Sequence, residues 1–70
     1  MQPQDQLGAN IRELRRAAGL SQIELSHRCG LHFSEISRLE RGGRDARLST
    51  IVKVAQGLGV APAALLAGMT

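Results

Sequence analysis

Seventy residues allow one small domain, which buries only about 60% of the surface its unfolded chain exposes, so a large enclosed catalytic cavity is not expected. Apolar residues make up 43% of the chain, too many for wholesale disorder, and with Phe33 as the only aromatic residue the core must be aliphatic. The net charge of +3 is carried unevenly: all eight arginines lie between Arg12 and Arg47, and Lys53 is the only charged side chain after them.

An arginine-rich front and an apolar back suit an anionic partner met by the front half. Solvated surface arginines would give the same tally. One cysteine excludes an internal disulfide. No apolar run approaches the ~20 residues of a membrane span. The start, MQPQDQ, lacks the basic and apolar regions of a signal peptide. A cytoplasmic protein is therefore expected.

Strand signals are missing, and period-3.6 apolar stripes recur between glycines. Residues 1–5 read as a flexible tail and 6–70 as the folded domain. A first helix places Leu7, Ile11, Leu14 and Ala18 on one stripe and stops at Gly19. A second starts at Ser21, where SQIE is a capping box: Ser21 accepts from the backbone N–H of Glu24, and Glu24 reaches back. Leu25 and Cys29 share its inner face, and Gly30 supplies the turn. A third helix spans Phe33 to Arg41 and closes at Gly42. GGRDAR is a loop. A fourth carries Leu48, Ile51, Ala55 and Leu58, with Gly59 as its stop; Gly57 inside it should cost about 1 kcal/mol against alanine. A short fifth helix begins at Pro62 and offers Leu65 and Leu66.

The third helix has little to bury. At about 100° per residue from Phe33, Ser37 falls near 40°, Arg41 near 80°, Ser34 near 100° and Arg38 near 140°. Ile36 and Leu39 fall near 300° and 240°, on the other side. The outward arc thus presents donors, small hydroxyls and one flat apolar ring. Two helices joined by a glycine turn, the second showing such a face, have the plan of a helix-turn-helix. The major groove admits one α-helix; arginine can read guanine, serine can meet a base or a phosphate, and an apolar group can pack on the thymine methyl.

The segments LRRAAGLSQIELSHRCGL, ISRLERGGR and LSTIVKVAQGLGV resemble the Xre-type helix-turn-helix family, which includes the phage repressors and Cro. The likeness runs from about Leu7 to Leu66 without gaps. It implies an all-α, compact five-helix domain of the lambda repressor-like kind, with helices 2 and 3 meeting DNA. By position, it implies base reading by Phe33, Ser34, Ser37 and Arg38. It implies phosphate contacts from Ser21 and Gln22, and from Arg41, Gly43 and Arg44. Arg44 and Arg47 are also candidate phosphate contacts as loop cations. Arg15 and Glu40 match the family's structural ion pair between helices 1 and 3. His32 stands where a Ser or Thr usually caps the third helix, so a weaker cap is expected there. Arg47 and Ala61 likewise replace customary caps.

Some readings stay open. Arg38 either reads guanine or pairs with Glu35 on a wet surface. Phe33 either faces the groove or folds inward. His27, Cys29 and His32 lack the spacing and partners of a metal site, so no metal, cofactor or catalysis is expected. The function implied is that of a sequence-specific transcriptional regulator of double-stranded DNA. A single small domain calls for two copies, expected as a homodimer on a two-fold symmetric operator. Its contact surface would draw on Val60, Leu65, Leu66 and Met69, of which Leu65 and Leu66 serve equally well as core. The competing readings are an antitoxin or a restriction–modification controller of the same fold, or a helical protein-interaction module that does not bind DNA.

Overall fold

The computed structural model describes residues 2–43 and 45–69. Its elements are α1 (Pro3–Ala17), α2 (Gln22–Cys29), α3 (Phe33–Arg41), α4 (Leu48–Leu58) and a terminal 3-10 helix (Pro62–Leu66). No strand occurs among the described residues. The all-α expectation therefore holds, with four α-helices rather than five among the described residues.

The fifth element tightens into a 3-10 helix for a local reason. It has only five residues, and two carbonyls at its end are held from outside: Asn10 Nδ2 donates to the Leu65 carbonyl at 2.9 Å and to the Ala67 carbonyl at 2.8 Å. Short pieces are where 3-10 geometry is tolerated. The tail expected over residues 1–5 is also corrected for residues 2–5, Met1 lying outside the described residues. Pro3 stands in the first turn of α1, and the Gln2 carbonyl accepts from the backbone N–H groups of Asp5 and Gln6, each at 3.0 Å. Proline suits that first turn because its missing N–H would have no helical partner there.

Leu25, Ile36, Val54, Ala55 and Leu65 are fully buried, with Leu7, Ile11, Leu20 and Cys29 completing the core. Fully burying one such aliphatic side chain contributes roughly 1.5–3 kcal/mol. α1 packs chiefly on α3, and α2 chiefly on α4. A glycine lies at each crossing. A Cβ on Gly8 would run into the Leu39 carbonyl oxygen, and one on Gly57 would stand 2.9 Å from the Cβ of Cys29. Gly57 is thus the residue that lets α4 approach α2, which accounts for its place inside a helix.

Candidate nucleic-acid interface

The α2–turn–α3 unit is set by local chemistry. Ser21 Oγ accepts from Glu24 N at 3.0 Å, and Glu24 Oε1 accepts from Ser21 N at 2.9 Å, so the expected capping box is present. The bond from the Ser21 backbone lowers the Glu24 carboxyl below its ordinary range. Gly30 ends α2 at φ 71°, a left-handed conformation that is inexpensive only for glycine. α3 then starts from His32, whose Nδ1 accepts from Ser34 N at 3.2 Å. A side-chain cap is therefore present there, with an imidazole nitrogen in place of the hydroxyl. α4 and the 3-10 helix, starting after Arg47 and Ala61, have no side-chain cap.

Glu40 braces this unit from behind. Its side chain is 1% exposed. Arg15 Nε donates to Oε2 at 2.7 Å and Nη2 to Oε1 at 2.9 Å, a two-pronged pairing of guanidinium with carboxylate. Arg15 Nη1 also donates to the Leu20 carbonyl at 2.9 Å, which ties the α1–α2 turn to the same cluster. Gln22 Nε2 donates to Glu40 Oε1 at 3.1 Å, and Arg12 Nε lies 3.5 Å from it. Burial opposes ionisation of Glu40, but the bonds from Arg15 and Gln22 and the charges of Arg15 and Arg12 outweigh it, so its carboxyl titrates below the ordinary glutamate range. α1, α2 and α3 therefore meet on one carboxylate. The sequence pointed to Arg15 and Glu40 but not to Arg12 or to this use of Gln22.

The exposed side of α3 bears the side chains expected there. Phe33 is 43% exposed and lies outside the core cluster, so it does not fold inward. Arg38 and Arg41 are exposed, while Ser34 and Ser37 are half-buried. Ion pairs among the described residues are Arg12–Glu40 and Arg15–Glu40, so Arg38 is not held by Glu35. Arg38, Glu35, Asp45, Arg47 and Thr50 line an open groove of about 260 Å³ between α3 and the start of α4. Ser21, Gly43 and Arg47 are exposed, and Gln22 is half-buried. Arg44 lies outside the described residues. Two acids at the groove edge, Glu35 and Asp45, were not part of the expected face.

Two helices joined by a glycine turn, the first capped and braced, the second presenting an arginine-bearing outer face, define a helix-turn-helix DNA-binding domain. The helix-turn-helix family model matches residues 11–65. The chain belongs to this family, and it is a transcriptional regulator of that class. It is 40% identical over 60 residues to the control protein C.BamHI of Bacillus amyloliquefaciens, covering 84% of this chain and 74% of that one. Among solved structures it resembles the restriction–modification controller protein C.AhdI of Aeromonas hydrophila, with a TM-score of 0.85 and 40% identity over 89% of this chain and 94% of that chain. It also resembles a hypothetical transcription factor from Neisseria, with a TM-score of 0.87 and 40% identity over 93% and 75%.

Proposed function

We propose that the protein binds a two-fold symmetric operator as a homodimer, with α3 of each copy in the major groove. The observation that carries this reading is the exposed face of α3, with Arg38 free of any acid on the same helix. Phe33, Ser34, Ser37 and Arg38 read base edges. Ser21, Gln22, Arg41, Gly43, Arg44 and Arg47 meet phosphates on either side. Gln22 serves both tasks, since its Nε2 carries a second proton beyond the one given to Glu40.

The dimer surface differs from the first expectation. Leu65 is fully buried and closes the core, so it is not available. Leu66 is 44% exposed and Leu48 is 75% exposed. Ile51, three residues after Leu48 and on the same side of α4, lines one groove with Leu66 and Met69. These four residues form the apolar face that a second copy would cover; Ile51 and Met69, like Val60, are half-buried against the core, and Leu48 and Leu66 are its exposed part.

The regulated genes are those of a restriction–modification system. Similarity to C.AhdI, named as a restriction–modification controller protein, and to C.BamHI, named as a control protein, supports this choice. Selection of bound duplexes from a random pool, followed by sequencing, tests the whole reading. A symmetric consensus with half-sites about 34 Å apart is expected, and it should recur beside endonuclease and methyltransferase genes. Arg38→Ala should relax the preference at one base pair by ~1–3 kcal/mol. A pool without enrichment, or an Arg38→Ala protein with unaltered preference, would sink the base-reading role.

A further inference from the structure

The geometry points to His32 as a specificity-determining residue that acts through Ser34: it accepts the hydrogen bond of the Ser34 hydroxyl, so that Ser34 meets DNA as a hydrogen-bond acceptor only. The inference rests on the reading of Ser34 as a base contact. Nδ1 of His32 accepts from the backbone N–H of Ser34 at 3.2 Å. A backbone N–H can only donate, so Nδ1 carries no proton and the ring proton stands on Nε2. The Ser34 hydroxyl lies 2.9 Å from that same Nδ1. Facing an unprotonated nitrogen, it can only be the donor.

A free serine hydroxyl has one proton and two acceptor lone pairs and therefore reads either kind of base edge. With its proton committed to His32, Ser34 keeps only lone pairs for the groove. In the major groove the donors are the exocyclic amines, N6 of adenine and N4 of cytosine. N7 of the purines, O6 of guanine and O4 of thymine are acceptors. Ser34 is thereby directed to an amine and turned away from the purine N7 and from phosphate oxygens. One imidazole thus does two jobs: it caps α3, and it fixes the hydrogen-bond polarity of a residue on the reading face.

Binding to the selected consensus duplex tests this by deleting one functional group at a time. Ser34→Ala first identifies the base pair whose preference depends on Ser34. At that pair, a nucleotide lacking the exocyclic amine should weaken wild-type binding roughly five- to tenfold, and a 7-deazapurine, which lacks N7, should leave it unchanged. His32→Asp supplies an acceptor-only carboxylate at a favoured capping position and should keep that pattern. His32→Gly removes the acceptor but costs the cap only a few tenths of a kcal/mol relative to a good capping residue, so it should fold. It should lose the selectivity and become sensitive to the 7-deazapurine. If Ser34→Ala alters no base pair, the base-reading role of Ser34 falls and the inference with it. If Ser34→Ala does relax one pair, but His32→Gly behaves as wild type or the wild type responds to the loss of N7 and not of the amine, only the role of His32 is overturned.

Discussion

At the residue scale, Glu40 holds a negative charge where water is excluded, and its neighbours decide whether that is tolerable. Removing one partner of a buried pair leaves the other uncompensated, at ~3–5 kcal/mol. Arg15→Ala should therefore lower the free energy of unfolding by about that amount, as read from urea denaturation, and any loss of DNA binding in it must be judged on folded protein. Acid should act on the same bond. The Glu40 carboxyl is held below its ordinary range in the folded state by its partners' bonds and charges, against the opposing effect of burial. Its stabilisation is then fully present above the glutamate range of the unfolded chain, and is lost as pH falls through the lower folded value. Melting temperature should drop as pH falls below the ordinary glutamate range, and Glu40→Gln should flatten that drop while lowering the whole curve. Glu24 is shifted the same way by its bond from the Ser21 backbone, so a residual slope should remain in the Glu40→Gln protein. An unchanged slope would mean that Glu40 is not the group responsible.

At the element scale, helix–helix separation is set by residues that contribute no side chain. By propensity alone Gly8→Ala should stabilise α1 by about 1 kcal/mol. Here the new methyl would meet the Leu39 carbonyl oxygen, which belongs to the backbone of α3 and cannot swing aside. Overpacking of this kind costs typically 1–3 kcal/mol, so Gly8→Ala should lower the melting temperature. Gly57→Ala, against the Cys29 side chain and backbone, should do so as well. A Gly8→Ala protein that melted higher than wild type would show that α1 and α3 can separate at no cost. Capping gives the opposite expectation at α4. Arg47 starts that helix without a side-chain bond. Arg47→Ser should add ~1 kcal/mol of stability while weakening DNA binding for every sequence and reducing its salt dependence. Salt titrations that superimpose on wild type would remove Arg47 from the phosphate contacts.

At the scale of the whole molecule, charge and apolar surface divide the work. All eight arginines lie between Arg12 and Arg47, the stretch that carries the proposed DNA contacts, and the chain beyond them has only Lys53 as a charge. An isolated domain of this size makes a small interface with DNA, so tight and specific binding calls for a second copy. Sedimentation should show a concentration-dependent dimer. Leu48→Glu or Leu66→Glu should shift it to monomer with the helical circular-dichroism signal intact, and should weaken operator binding far more than binding to a single half-site. Dimers that persist in both variants would place the self-association surface elsewhere.

Much of this protein was determined by the sequence read alone, because the signals are local. The stripes of α1 to α4, the Ser21–Glu24 capping box and the outward arc of α3 depend on residues no more than a few positions apart, and a 3.6-residue period expresses them directly. The likeness to a family added the Arg15–Glu40 pair. What only the tertiary structure decided lies between residues far apart in the chain. Asn10 sits on the apolar stripe of α1, one turn from Leu7, and that misplaced polarity was a usable signal that it bonds something. That its partners are carbonyls 55 and 57 residues away could not be read. The same holds for Leu65 being core while Leu66 is surface, for Gln22 turning to Glu40, and for Gly8 and Gly57 marking the helix crossings. Each depends on how closely two helices approach, which no local pattern encodes. The opening of α3 falls between these cases. His32 and Ser34 are two residues apart, yet the bond that links them needed atomic positions, because a side chain's proton and lone pairs have direction and the one-letter sequence has none.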